Sequence, residues 1–238
     1  MPMLQELTGV RSSIVQAAAG QMTNLPVMSS AELCALNALT HPVLDKTALD
    51  WWASQDDQKN LTQMAYSELA RRQLYDPATR HATVPLDLVL SARANPSFIM
   101  VTRDKAGAEP RSDRLYGASD DFGNRAVLLE QVKPNPTSWS GPAYSYEPTR
   151  VQPQADAITE WASARKGRVI EFYMPGSGFG SRVAERVTVL SPVRKGEMSY
   201  HRETTDSTFR RPPICLTAFL VGLMASIPYL PPHLPVSF

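Results

Sequence analysis

A helix-forming segment ending in Ser-Ala-Arg is followed by three strand-forming runs, and this order occurs twice, at Ser91-Ala92-Arg93 and at Ser163-Ala164-Arg165. Strands joined by short turns pair antiparallel, because parallel neighbours need crossovers of about a dozen residues. The sequence therefore predicts an α+β fold: a central antiparallel β-sheet with helices packed on one face, built as a quasi-two-fold repeat of helix-strand-strand-strand. The expected organisation is a single domain over 1–238, with an N-terminal helical part at 1–82, a first αβββ unit at 83–150, and a second unit plus terminal helix at 151–238.

In the first unit, Pro85 suits the opening turn of a helix, Leu86, Val89, Leu90 and Arg93 mark its stripe, and Asn95-Pro96 stops it. The run Phe98-Ile99-Met100-Val101 is short, apolar and bounded by turn residues, which marks a buried strand. Segments 114–118 and 125–132 give the next two strands, and 143–147 is an aromatic strand candidate. In the second unit Ile158, Trp161, Ala162 and Arg165 share a helical face, with Gly167 just past its end. Segments 169–174, 182–190 and 197–203 then read as strands, the first two with clean alternation, and an apolar helix is expected over 214–227.

Ahead of these units, Ser29-Ser30-Ala31-Glu32 is a capping-box pattern, and Leu33, Leu36 and Leu39 follow at helical spacing until Pro42. Asp45 can cap a short helix carrying Leu49, Trp51 and Trp52. A longer helix is expected over 57–72, and Asp76-Pro77 reads as a turn or a fresh helix start.

Composition excludes several classes. Apolar residues make up 43% of the chain, enough for a core, and 24 Lys+Arg against 23 Asp+Glu lack the footprint of a general nucleic-acid binder. The pairs Arg71-Arg72, Arg165-Lys166 and Arg210-Arg211 read as solvated side chains. Cys34 and Cys215 both fall in apolar helical patterns and read as buried free thiols. No basic segment followed by an apolar core opens the chain, so a cytoplasmic location is the default expectation. The stretch Ile214 to Leu230 resembles a membrane span, but Pro228 ends it short of the ~20 residues a bilayer needs, so no span is expected.

No motif for chemistry survives its context. Gly176-Ser177-Gly178-Phe179-Gly180 follows a strand, yet a dinucleotide loop must open a helix, and 182–189 has period two. Asp121-Phe122-Gly123 matches a kinase tripeptide without the accompanying motifs. His41, His81, His201 and His233 have no ligand-spaced partners, and Asp56-Asp57 and Asp120-Asp121 sit in turn or helix-start contexts. The expectation is no enzyme, no cofactor and no metal.

Two features point to protein binding. The polar 104–112 loop, with Asp104, Lys105, Glu109 and Arg111, is long for a hairpin and leaves a rigid strand pair. The terminal helix is apolar nearly all round, with Leu216, Phe219, Leu220, Leu223 and Met224, so it is either plain core or a groove for a partner's helix. The expected protein-binding residues are Asp104, Lys105, Glu109 and Arg111 at the rim and Phe219 and Leu223 on the helix.

The layout resembles the EspG-type chaperones of type VII (ESX) secretion systems. The likeness is carried by the Ser30 to Leu36 helix, the Leu86 to Arg93 helix leading into Pro96 to Val101, the Trp161 to Arg168 passage, Val187 to Pro192 and the terminal apolar helix. It spans about residues 28–227, while the Pro-rich stretches at 133–153 and after 227 depart from the family pattern. The resemblance implies a central antiparallel sheet with quasi-two-fold symmetry and a cytosolic role in keeping helical PE/PPE pairs soluble. The expected function is thus a non-enzymatic chaperone or adaptor for a helical secreted partner. The alternatives are a structural assembly subunit that oligomerises through its sheet edge and terminal helix, or a small-molecule enzyme with a site assembled from distant residues.

Overall fold

The structure, a computed structural model, describes residues 14–21, 25–41, 44–104, 112–119, 125–133, 138–164, 168–174, 182–194, 197–204, 208–210 and 214–225. Its frame is an antiparallel sheet ordered β1-β7-β6-β5-β4-β8-β9-β10-β11, with β12 also pairing β10. The strands are β1 (Met28–Ser29), β4 (Ile99–Asp104), β5 (Ser112–Ser119), β6 (Arg125–Lys133), β7 (Ala143–Arg150), β8 (Arg168–Met174), β9 (Arg182–Arg194), β10 (Glu197–Thr204), β11 (Thr208–Arg210) and β12 (Ile214–Cys215). A separate hairpin joins β2 (Tyr75–Asp76) to β3 (His81–Ala82) at the turn expected around Pro77. The α+β antiparallel architecture is as the sequence predicts. From the central β4–β8 pair the strands run outward in chain order, β5-β6-β7 on one side and β9-β10-β11 on the other, and the short β1 from the N-terminal part is added outside β7.

The α-helices are α1 (Ser30–Ala35), α2 (Lys46–Ala53), α3 (Gln58–Arg71), α4 (Val84–Ala94), α5 (Val151–Ser163) and α6 (Leu216–Ala225). The capping box is formed: Ser29 Oγ accepts from Glu32 N at 3.2 Å and Glu32 Oε2 accepts from Ser29 N at 2.7 Å. Helix α1 then stops at Ala35, earlier than Leu36 and Leu39 predict, because Asn37 turns into the left-handed region at φ 52°. Helix α6 likewise starts at Leu216, since Ile214 and Cys215 pair with Met198 and Glu197; Cys215 is a strand residue, not a helical one.

Helices cover both faces of the sheet, which corrects the expectation of one. Ile99, Val101, Tyr116, Ala126, Leu128 and Tyr144 point to a first face and pack with Leu86 and Val89 of α4 and with Met28, Leu33 and Leu69. Met100, Leu115, Val127, Ile170 and Phe172 point to the second face, under Ala155 and Ile158 of α5 and Leu216, Leu220 and Met224 of α6. The cause is already in β4 and β8, whose side chains are apolar on both sides of the pleat, so each face must be removed from water. Helices α4 and α5, each ahead of a central strand, therefore lie on opposite faces.

Two glycines admit aromatic rings. Phe98 lies over Gly117, where an added Cβ would come within 2.2 Å of the ring, and stacks on Phe172 with centroids 5.2 Å apart. Trp51 lies on Gly141, which has φ 69° and leaves only 2.6 Å for a Cβ. On the second face Thr217 Oγ1 donates to Thr159 Oγ1 at 2.8 Å, joining α6 to α5, and Arg125 Nη1 donates to Met224 O at 2.8 Å. That guanidinium satisfies a carbonyl left open in the last turn of α6.

Candidate functional site

The densest polar chemistry lies inside the protein, between the helical layer and the first face of the sheet. Register places Arg114, Glu130 and Tyr146 in one row across β5, β6 and β7. Arg93 reaches this row from α4, and Asp45 from the residue ahead of α2. Arg93 bridges Glu130 Oε2 through Nη1 and Asp45 Oδ1 through Nη2, the latter at 2.8 Å. Arg114 Nη1 donates to Asp45 Oδ1 at 2.6 Å and to Glu130 Oε1 at 3.0 Å. All four side chains are buried, Arg93 to 0% exposure. Two cations and two carboxylates thus close a neutral ring in a place where an isolated charge would be severely penalised.

The ring also holds a strap. Arg93 Nε donates to Ala38 O at 3.2 Å, and Arg114 Nη2 donates to Leu44 O. Asp45 Oδ2 accepts from His41 N at 3.1 Å, while Thr40 Oγ1 donates to Arg93 O at 3.2 Å. His41 Nε2 lies 3.0 Å from the same carbonyl, so this nitrogen carries the proton. Asp45 precedes α2 as expected but makes no side-chain cap, because its carboxylate is engaged by the two arginines.

The electrostatics follow from burial and pairing. Desolvation pulls Arg93 and Arg114 toward losing their protons, but Glu130, with the neighbouring tyrosines and Asp45, outweighs it and both stay charged. Burial, then the Glu130 charge, drives the Tyr146 hydroxyl well above the usual tyrosine range. Desolvation lowers His41, opposed by its bond to Arg93 O and by Asp45. Burial, with Asp45 adding to it, pushes the free Cys34 thiol up to about 12. The charges of the ring satisfy one another, and Cys34 is held as the thiol at neutral pH.

Of the residues expected to bind protein, the structure describes Phe219 and the backbones of Asp104 and Leu223, all away from the ion ring. Asp104 ends β4 and pairs in register with Arg168, the first residue of β8. Lys105, Glu109 and Arg111 lie outside the described residues, in the connection between Asp104 and Ser112. At the same end of the sheet β10 begins at Glu197, which pairs with Cys215, so α6 starts there too. Phe219 is half-buried against the second-face core, and Leu223 lies one turn further along α6. Trp161 of α5 stacks under the Arg168 guanidinium, 4.6 Å from ring centroid to Cζ, beside the exit of the 104–112 connection.

Cavities and motifs add little. An open groove of about 500 Å³ runs between the helical turn at Ala17–Gln21 and the outer strands, lined by Gln131, Lys133, Ser145 and Glu147 among others. Its lining includes Tyr146, whose hydroxyl accepts from Arg93 Nη1 at 3.4 Å, but none of Asp45, Arg93, Arg114 and Glu130. Among the described residues no group of three or more His, Cys, Asp or Glu side chains has metal-binding geometry. Segments 120–124 and 175–181, with the kinase-like and glycine-rich motifs, lie outside the described residues, but each joins two antiparallel strands. Among the described residues no helix is long and apolar enough to cross a membrane.

Sequence reasoning did not single out the ion ring. The signal was present: Arg93 sits in the apolar stripe of α4, and Glu130 follows Val127-Leu128-Leu129 at a core-facing position of its strand. No family model matches this chain, and no curated protein matches it.

Proposed function

We propose that this chain is a non-enzymatic chaperone or adaptor that shields apolar surface on a helical protein partner, acting in the cytoplasm as EspG-type chaperones do for PE/PPE pairs. The observation that carries this reading is α6. It has only one polar side chain, Thr217, and while Leu216, Leu220 and Met224 face the core, Ala218 and Gly222 are exposed and Phe219 is half-exposed. An apolar helix with small residues outward offers close approach to another helix. Support also comes from the interior charges, which neutralise one another instead of lining a cavity. Assembly through the sheet edges is less favoured, because the outermost strands β1 and β11 are only 2 and 3 residues long, and short edges resist strand addition.

The test is size-exclusion chromatography of the purified chain with helical PE/PPE-like pairs from the same genome. The expected result is a stable ternary complex that Phe219→Glu abolishes while the variant keeps the wild-type circular dichroism. Separate elution from every such pair would sink the reading.

A further inference from the structure

Three of the chain's four tryptophans gather around Gly141. Trp51 and Trp52 are neighbours on α2, both half-buried, with ring centroids 6.1 Å apart and planes tilted by 47°. The Trp51 ring is seated on Gly141, two residues after Trp139. Trp139 is itself half-buried, in the 3-10 turn Ser138–Ser140 that packs against α1 and α3. Among the described residues nothing accepts from the three indole N–H groups, and none of these nitrogens is buried without a partner, so each is open at the surface. The patch therefore offers ring faces together with donors that have no acceptor of their own. That combination fits a polyproline II segment, which docks on aromatic side chains and, having no internal hydrogen bonds, keeps its carbonyls free.

A matching segment is in the chain itself. Pro228-Tyr229-Leu230-Pro231-Pro232-His233-Leu234-Pro235 holds two successive Pro-x-x-Pro spacings; it follows α6 and lies outside the described residues. We infer that this segment of one copy docks on the Trp51, Trp52 and Trp139 surface of a second copy, so that the protein pairs with itself. The occupant comes from a second copy because the segment is out of reach of the surface on its own chain. Helix α6 packs on the second face and ends at Ala225, where Met224 O accepts from Arg125 Nη1 at the start of β6. Gly141 stands by the other end of that strand, since Lys133 pairs with Ala143, and Trp51 belongs to the helical layer of the first face. The nine residues of β6 separate these ends by about 26 Å, while the step from Ala225 to Pro228 spans at most about 11 Å. Reciprocal exchange of the segments across a two-fold axis closes the pair. The inference is independent of the client reading, which uses α6.

The experiment is light scattering after size exclusion on the full chain over a range of concentrations, with two variants: Pro231→Ala/Pro232→Ala in the segment and Trp52→Ala/Trp139→Ala on the surface. Each variant is checked for wild-type thermal unfolding. The wild type is expected to run as a dimer, and each variant to dissociate at least about tenfold more readily. Mixed in equal amounts, the two variants keep one intact segment and one intact surface, so a mixed dimer should form more readily than either variant pairs with itself. Because the tryptophan changes can loosen the fold, a synthetic 226–238 peptide is also titrated into the segment variant. Its tryptophan fluorescence should change, and should not respond to the same peptide with alanine at its four prolines. A monomeric wild type, a dimer lost in only one variant or in neither, or no response to the peptide would overturn the proposal. A monomer whose tryptophan fluorescence shifts when its own segment is altered would place the segment on its own chain, and would overturn it too.

Discussion

Arg93 and Glu130 approach from opposite layers, one from α4 and the other from β6, and meet with neither side chain more than 1% exposed. Their neutrality depends on Asp45 and Arg114 being present as well, so removing one carboxylate leaves a buried cation in excess. Glu130→Leu is expected to cost about 3–5 kcal/mol, while Arg93→Met/Glu130→Leu, which leaves the Arg114–Asp45 pair intact, should cost clearly less than the sum of the single changes. Urea unfolding of the three variants measures the coupling. Additive losses would mean the ring is not one unit.

Gly117 is required by a ring, not by a turn. Gly117→Ala places a methyl group within 2.2 Å of Phe98, which is itself stacked on Phe172, so the aromatic cannot swing away freely. A loss of about 1–3 kcal/mol is expected, largely recovered when Phe98→Leu is added. The shift of the thermal midpoint in the single and double variants decides it.

Cys34 should be inert. With its thiol pushed up to about 12, only about one molecule in ten thousand carries the thiolate at pH 8. In a Cys215→Ser background, labelling by a small disulfide reagent is therefore expected to be orders of magnitude slower than that of free cysteine, and to reach the ordinary rate in urea. Cys34 is half-buried and not fully buried as its apolar pattern predicts, and fast labelling of the folded chain would contradict a thiol held protonated.

The His41 strap sets a pH dependence. Its folded affinity for a proton lies below that of the unfolded chain, so the unfolded state takes up the proton first as the solution is acidified. Stability from this residue is complete above the unfolded value near 6.5 and falls as the pH drops through the window below it. The urea midpoint should thus fall between pH 7.5 and 5.5, with a shallower fall in His41→Gln. Equal slopes would show that other groups govern the acid limb.

Much of this architecture is legible in the residues. Pro85 and Asn95 bracket α4, and the unbroken Phe98 to Val101 run marks a central strand. The same run also implies cover on both faces, since a strand wet on one side alternates, and the one-face expectation overlooked that. Pro192 looks like a strand end, yet β9 continues through it because the register with Met198 slips at this point, and a bulge tolerates the missing donor. The ion ring is harder, because its four members come from Asp45, Arg93, Arg114 and Glu130, and nothing local says which distant charge answers which. Only the phase of Arg93 and Glu130 within apolar patterns marks them as inward-facing. Of the rim residues, Asp104 belongs to β4 and not to a loop, Lys105 to Arg111 lie outside the described residues, and the register of Asp104 with Arg168 sets the end of β4 beside the start of β8.

The pairing of β4 with β8 has a consequence for how the chain is made. Until the second meander emerges from the ribosome, Ile99 to Asp104 form a naked, greasy border with nothing to zip against. A nascent or severed front half would therefore reach for its own twin, β4 to β4, and sticky dimers of the leading portion are the natural hazard of a molecule whose two halves close along their middle.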